Sequence, residues 1–187
     1  MEIKAFDDED TVSYGSAVAI DEDKLITNAH ILYYKKNTQI KTFDYVQIRL
    51  ATENDYTYAV IEKIDYELDL ATIIIENKKL NAISICEKEI LIADKIYAMG
   101  NAQNYGISIM EGIVAQNNVI VEADGKTITA IQCDLNISEG NSGGALLNKY
   151  GELIGLTTFR LKDSSNNVVY GISFAIPIKT INKFLLL

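Results

Sequence analysis

One serine of the chain is framed by glycines, in the segment Gly140-Asn141-Ser142-Gly143-Gly144 that leads directly into an apolar run. Glycine allows unusual backbone angles and leaves space for an approaching carbonyl group. A tight bend here can direct the N–H groups of Gly140 and Ser142, on either side of Asn141, to the single point that an oxyanion hole requires. Taken alone, the motif also fits a plain Gly/Ser turn between strands.

A serine nucleophile needs a base that accepts its proton near neutral pH, and histidine is the side chain that titrates there. His30 is the only histidine of the chain and ends the apolar segment 25–29. A lone histidine is often a structural residue. Because no other imidazole competes for the role, we expect His30 to be the base for Ser142.

A neutral imidazole base needs a carboxylate to orient it, and Asp65, Glu67 and Asp69 lie close together in the chain. Asp69 directly precedes an apolar strand, where a carboxylate is costly unless it is paired. Asp65 and Glu67 fit a solvated acidic turn better. The predicted triad therefore runs in the order His, Asp, Ser, which is the order of the chymotrypsin group.

The elements that must position these residues are short strands rich in Val, Ile, Thr and Tyr, each bounded by turn-forming or charged residues. Strands at this close spacing are typical of a sandwich or a pair of barrels. Asp124-Gly125 predicts a hairpin turn, and the residues after Pro177 predict a short amphipathic helix, 178–187. The predicted strands are 12–20, 24–29, 45–51, 56–65, 70–75, 95–99, 107–116, 127–133, 145–147, 152–158 and 168–176.

Several stretches resemble, in order and spacing, the trypsin-like protease domain of the HtrA (high-temperature-requirement A, Deg) family. They span nearly the whole chain, which makes the resemblance more specific than the serine motif alone. The stretches are GSAVAI (15–20) with ITNAH (26–30), DLA (69–71), KIYAMGN (95–101) with EGIV (111–114), GNSGGALLN (140–148) with GELIG (151–155), and FAIP (174–177).

The resemblance implies an all-β fold, a chymotrypsin-like double β-barrel of two six-stranded Greek-key barrels with a short C-terminal helix. A single protease domain, 1–187, would comprise an N-terminal barrel of roughly 1–80 and a C-terminal barrel of roughly 81–187. It also implies His30 as general base, Asp69 as its orienting group and Ser142 as nucleophile, with the N–H groups around Gly140 and Ser142 as oxyanion donors.

The resemblance further suggests a substrate pocket. No Asp stands six positions before Ser142, so a preference for Lys or Arg is not supported. Ile137 and Ile172 would narrow the pocket and favour small aliphatic side chains. Arg160 at the mouth either attracts an acidic side chain or is simply an exposed strand-end residue. The predicted base is formed by Asn136 and Ile137, and the predicted walls by Thr158, Phe159, Arg160 and Ile172.

Composition excludes several classes of function. The net charge is −9, from 17 basic and 26 acidic residues, and no basic stripe is present, so nucleic-acid binding is disfavoured. Cys86 and Cys133 form no CxxC pair, and with a single histidine they predict buried free thiols and no metal site. We expect no cofactor, and protein or peptide substrates, with a regulatory protein partner as a further option.

The termini bear on location and regulation. The first residues contain no apolar signal-peptide core, and no apolar run approaches the roughly 20 residues of a membrane span. We therefore expect no membrane insertion and a cytoplasmic protein, or else an exported one whose leader is absent from this chain. The chain ends without the PDZ domain that usual HtrA proteins carry, so their PDZ regulation and trimerisation are not transferred.

The sequence thus predicts a serine endopeptidase that acts through an acyl-enzyme intermediate. Two alternatives stay open at this point. One is a catalytically silent binding or sensor module on a protease scaffold, although such modules usually lose a triad member. The other is a protease that a partner must switch on.

Overall fold

The structure is a computed structural model that describes residues 1–9, 11–76, 78–123, 125–162, 165 and 167–186. Strands dominate both halves of the chain. In the first half they are β1 (Glu2–Phe6), β2 (Val12–Ser16), β3 (Val18–Ala19), β4 (Lys24–Thr27), β5 (Tyr33–Lys36), β6 (Gln39–Thr42), β7 (Tyr45–Arg49), β8 (Thr57–Asp65) and β9 (Leu70–Ile75).

Seven of these strands form one sheet, in the order β2-β1-β7-β8-β9-β4-β3, while β5 and β6 form a separate hairpin. The two ends of this order, β2 and β3, are separated in the chain only by Ala17. Ser16 pairs with Glu2 on one side, and Val18 pairs with Ile26 on the other. The sheet is therefore closed by one split strand, which makes a six-stranded barrel, as the sequence predicted.

The second half contains β10 (Lys95–Gly100), β11 (Ser108–Ala123), β12 (Lys126–Cys133), β13 (Ala145–Asn148), β14 (Leu153–Lys162) and β15 (Val168–Pro177). They form a closed barrel in the order β10-β11-β12-β15-β14-β13. The predicted double barrel is thus confirmed. The boundary predicted near residue 80 falls between β9 and β10.

The observed strands differ from the predicted ones at several places, among them predicted strand 12–20, which is divided into β2 and β3, and β14, which continues to Lys162. Strand β1 and the β5–β6 hairpin were not predicted. In β1 the charged Glu2 is buried on the face opposite Ile3 and Ala5, where Arg49 pairs with it at 3.0 Å. Strand β11 continues past its predicted end because the pairing register shifts there, and Asn118, with φ of +54°, lies in that shift. In the predicted hairpin turn, Asp124 lies outside the described residues.

A short helix, α1 (Ile178–Leu186), follows β15 and packs on the junction between the barrels. Phe184 is fully buried there, in a cluster that includes Ile26 and Leu70 of the first barrel and Ile176 of the second. Nζ of Lys63, on β8, donates to the Phe184 carbonyl at 2.6 Å. Among the described residues, no helix has the length and hydropathy needed to cross a membrane.

Both cysteines are buried free thiols, as the sequence predicted. Cys133 is 1 % exposed, and burial raises the pKa of its thiol to about 12. The thiolate is the reactive form of cysteine, so Cys133 is expected to be inert at neutral pH.

Phe184 provides a test of the junction between the barrels. Phe184→Ala is expected to lower the free energy of unfolding by about 3–5 kcal/mol, because it removes a buried ring and leaves a cavity. The matched control is Leu186→Ala in the same helix, a residue that is 88 % exposed, with an expected change within about 0.5 kcal/mol. Urea denaturation measures both, and equal losses would contradict the packing described here.

Candidate active site

His30 lies in a 3₁₀ turn, Ala29–Ile31, directly after β4. Its Nδ1 is 2.8 Å from Oδ2 and 3.0 Å from Oδ1 of Asp69, and its backbone N–H donates to Oδ1 at 2.9 Å. A carboxylate in this position accepts a hydrogen bond from Nδ1–H, so Nε2 of the neutral ring keeps its lone pair. The imidazole can therefore accept a proton at Nε2.

Asp69 ends the turn between β8 and β9 with φ of +54°, a backbone region that non-glycine residues rarely adopt. Its carbonyl oxygen accepts from the Asn28 side chain at 3.0 Å and from Ala29 N–H at 3.1 Å. Its carboxylate Oδ2 also accepts from the Thr158 hydroxyl at 3.0 Å. Contacts from both barrels thus hold Asp69 in this conformation.

Ser142 lies in the loop between β12 and β13, whose shape requires glycine on both sides. Gly140 has φ of +90° and Gly143 of +76°, and an added Cβ would lie 2.1 Å from Asn101 O at the first and 2.2 Å from Ser16 O at the second. No larger residue fits at either position without movement of the backbone.

The backbone N–H groups on either side of Asn141 differ from its own. Those of Gly140 and Ser142 make no hydrogen bond within the described part of the chain, whereas Asn141 N–H donates to the Ser138 carbonyl at 3.1 Å. Of the three residues expected around an oxyanion hole, the outer two therefore offer a donor, and the N–H of Asn141 is already used.

The Ser142 hydroxyl donates to the carbonyl oxygen of Thr158 at 2.8 Å. No hydrogen bond joins Ser142 to His30 in this conformation, among the residues that the structure describes. Rotation about the Cα–Cβ bond of Ser142 redirects its hydroxyl, and catalytic hydrogen bonds commonly form only once substrate is bound.

His30 and Ser142 open into one cleft of about 400 Å³. Gly140 also lines this cleft, so the free N–H donor, the imidazole and the hydroxyl share one space. Glu139 adds a carboxylate at its edge. Across the described ranges, no group of three His, Cys, Asp or Glu side chains is placed to hold a metal ion.

A second cavity, of about 100 Å³, includes four of the six predicted pocket residues, namely Asn136, Ile137, Arg160 and Ile172. Asn136 Oδ1 accepts from Gly171 N–H across it at 2.9 Å. The other two predicted residues lie outside this cavity. Thr158 contacts Asp69 and Ser142 instead, and Phe159 packs on Phe174, with ring centroids 5.0 Å apart.

Asn28 joins the two barrels at the site, a role that sequence reasoning did not identify. Its side chain is fully buried. Nδ2 donates to the Asp69 carbonyl at 3.0 Å, and Oδ1 accepts from Gly143 N–H at 2.7 Å. The available signal was a polar residue in an otherwise apolar strand end, two positions before His30.

Asn141 is buried to 99 % and has a side-chain amide with no hydrogen-bond partner among the described residues. A buried unpaired amide is costly, but a carboxylate would cost far more in the same place. A neutral residue at position 141 therefore costs less than a carboxylate would in the same place.

Residues 15–156 match the family described as the trypsin-like peptidase domain. The matched range contains His30, Asp69 and Ser142. The chain belongs to the trypsin-like peptidase family.

Relatives of this trypsin-like peptidase domain include the serine endoprotease DegS of Haemophilus influenzae, with 31 % identity over 91 % of this chain and 48 % of DegS. The mitochondrial serine protease HTRA2 of Drosophila virilis is 33 % identical over 94 % of this chain and 39 % of its own length. The chain thus spans less than half the length of these relatives. The expected resemblance to the HtrA family is confirmed.

Solved structures agree on the fold. The HtrA-type protease AlgW, solved with a tripeptide, superimposes with a TM-score of 0.84 and 30 % identity over 99 % of this chain and 58 % of AlgW. The active form of the Rv3671c protease from M. tuberculosis gives the same TM-score at 14 % identity, over 99 % of this chain and 78 % of its own. At that identity, the second likeness shows the fold alone.

Asn28 gives a test of the link between the barrels. Asn28→Ala is expected to lower the free energy of unfolding by about 1–3 kcal/mol, because two buried hydrogen bonds are lost. Asn54→Ala is the matched control, since Asn54 is exposed, and it should change stability by no more than about 0.5 kcal/mol. Chemical denaturation of the two variants measures the difference, and a neutral Asn28→Ala would rule out a stabilising link.

Proposed function

We propose that this domain is a serine endopeptidase, with His30 as general base, Asp69 as its orienting carboxylate and Ser142 as nucleophile. One observation carries the proposal. The Asp69 carboxylate lies within hydrogen-bond distance of both the backbone N–H and Nδ1 of His30, in a cleft that His30 shares with Ser142. The names of the relatives, serine endoprotease and serine protease, support the same activity.

Acylation begins when the Ser142 hydroxyl turns from the Thr158 carbonyl to His30 Nε2. Oγ attacks the carbonyl carbon of the scissile peptide bond while Nε2 takes the hydroxyl proton. The carbonyl oxygen becomes an oxyanion, which the N–H groups of Gly140 and Ser142 stabilise. His30 then passes the proton to the leaving amine, the C–N bond breaks, and an ester on Ser142 remains.

Deacylation repeats these steps with water. His30 Nε2 takes a proton from water as its oxygen attacks the ester carbonyl, and the same two N–H groups hold the second oxyanion. The proton returns to Ser142 Oγ as the C–O bond breaks, which releases the carboxylic acid product. The free enzyme is restored with no net change in its protons.

Asp69 acts through the ring of His30. It keeps the proton on Nδ1, so that Nε2 is the basic nitrogen, and it stabilises the imidazolium that forms during each half of the reaction. The Thr158 hydroxyl, which donates to Oδ2 at 3.0 Å, fixes the carboxylate from the second barrel. The base is therefore oriented before substrate arrives.

We propose that the 100 Å³ cavity accepts small aliphatic side chains of the substrate. Ile137 and Ile172 line it, and Ile137 is 4 % exposed. The cavity is smaller than ordinary ligand sites, which start at about 300 Å³, and this favours small side chains. Arg160 also lines the cavity. Faster cleavage of peptides that place an acidic side chain there, compared with small aliphatic ones, would therefore contradict this preference.

Location and regulation stay predictions. The relatives carry names from other compartments, among them a probable periplasmic DegP-like endoprotease of Buchnera aphidicola and the mitochondrial HTRA2. The cytoplasmic location predicted from the sequence is tested by cell fractionation of the native host. A regulatory partner is tested by comparing the peptidase activity of purified protein with its activity in lysate.

Covalent labelling tests the nucleophile. A fluorophosphonate probe should label the wild type and leave Ser142→Ala unlabelled, and the variant should lose about 10⁴-fold or more in peptide hydrolysis. Ser13→Ala is the matched control, because Ser13 lines the same cleft and should not affect labelling. Labelling that persists in Ser142→Ala would remove the assignment, and an unreactive wild type would favour the silent binding module.

The pH dependence tests the base. Histidine side chains ordinarily titrate near pH 6.5, and a base must be neutral to accept a proton, so kcat/KM should rise between about pH 5 and 8 and then level off. The control is the fraction of folded protein over the same range, measured by circular dichroism. A flat profile for folded protein would argue against a histidine base.

A further inference from the structure

Ser16 carries a buried hydroxyl that the proposed reaction does not use. It ends β2 beside the break in the split strand and is 1 % exposed. Its Oγ donates to the Gly140 carbonyl at 2.7 Å and accepts from Asn101 N–H at 2.9 Å. One side chain of the first barrel therefore binds two separate segments of the second.

Both segments bear on the direction of Gly140 N–H. In the peptide group before Gly140, the Glu139 carbonyl accepts from Gln103 N–H at 2.8 Å. The C=O and N–H of a trans peptide point in opposite directions, so this bond turns Gly140 N–H away from Gln103. Gln103 belongs to the turn that begins at Asn101, and Ser16 binds Asn101.

The peptide group after Gly140 depends on Ser16 directly. Within the described residues, the only hydrogen bond to the Gly140 carbonyl comes from Ser16 Oγ. Gly140 has no side chain to restrain it, and its φ of +90° is open to change in glycine. Loss of the hydroxyl would leave a buried carbonyl unpaired, which favours rotation of that peptide towards another donor.

Ser142 is held independently of this hydroxyl. Its carbonyl accepts from the backbone N–H of Ser16 at 2.8 Å, and that bond survives replacement of the side chain. Among the described residues, neither His30 nor Asp69 makes a hydrogen bond with Ser16 Oγ. Removal of the hydroxyl therefore affects Gly140 while the base and the nucleophile keep their places.

We propose that Ser16 is a positioning residue that aligns Gly140 N–H with the oxyanion of the transition state. The proposal rests on the proposed function, since it assigns the support of the same site. An oxyanion donor acts on the transition state and hardly on bound substrate. Ser16 should therefore influence kcat and leave KM and the pH profile unchanged.

Steady-state kinetics of Ser16→Ala test this. Loss of a whole oxyanion donor costs about 10²–10³ in kcat, so a misaligned donor is expected to lower kcat by about 10- to 100-fold, with KM within about twofold and the same pH midpoint. Thr72→Val is the matched control. It removes another buried hydroxyl, which donates to Glu62 at 2.8 Å, and it should leave kcat unchanged.

Ligand binding separates alignment from general damage. A peptide aldehyde, which forms a tetrahedral adduct with Ser142, should bind Ser16→Ala at least about tenfold more weakly than wild type. A substrate peptide, which neither variant can cleave, should bind equally well to Ser142→Ala and to the double variant Ser16→Ala/Ser142→Ala. If Ser16→Ala fails to fold, Ser16→Cys replaces it, because a thiol is of similar size and a weaker donor, and an intermediate loss of kcat is expected.

Three results would overturn the proposal: an unchanged kcat, equal weakening of the aldehyde and the uncleaved peptide, or a shifted pH midpoint. A wild type that neither hydrolyses peptides nor reacts with fluorophosphonate would instead remove the proposed function. In that case a crystal structure of Ser16→Ala decides the role of Ser16. A displaced Gly140 would show that Ser16 positions it, although the link to an oxyanion falls with the proposed function, and an unmoved Gly140 would rule out the positioning role as well.

Discussion

The site depends on one buried carboxylate. Asp69 is only partly accessible, with 12 % of its side chain exposed, and a carboxylate so placed is stable only when donors surround it. Those donors come from the backbone and ring of His30 and from the Thr158 hydroxyl. Because Thr158 belongs to the other barrel, the carboxylate is satisfied only when both barrels are correctly docked.

The docking itself has two physical sources. An apolar cluster that includes Ile26 and Leu70 of the first barrel and Phe184 of the helix holds the barrels together without fixing fine geometry. Directional hydrogen bonds, among them those of Asn28 with Asp69 and Gly143, then fix the position of one barrel relative to the other. Burial of apolar surface thus brings the halves together, and a few polar contacts fix the atoms of the candidate site.

Much of the candidate site could be predicted from the sequence because its residues have distinctive neighbours. Ser142 is flanked by glycines, His30 has no rival in the chain, and Asp69 stands at the mouth of an apolar strand. Each is a local signal. The strands were predictable wherever apolar and β-branched residues alternate, and the double barrel followed from the family resemblance.

The remaining features depend on contacts between residues distant in sequence. Asn28 and Ser16 are ordinary polar residues until the fold brings Gly143 and Gly140 against them. Thr158 was assigned to a pocket wall, but its hydroxyl contacts Asp69. Strand β1 was not predicted because its buried Glu2 pairs with Arg49, which lies 47 positions later. A local sequence pattern cannot reveal so distant a partner.

The strand order of the second barrel has a consequence for synthesis. Strand β15, the last strand among the described residues, inserts between β12 and β14. Until it emerges from the ribosome, both neighbours are open sheet edges, which readily pair with other chains. The strand that carries Thr158 is then paired on one side only, with β13. A chain in which β15 has not yet been made therefore has an open second barrel with two exposed sheet edges, a form that is prone to aggregation.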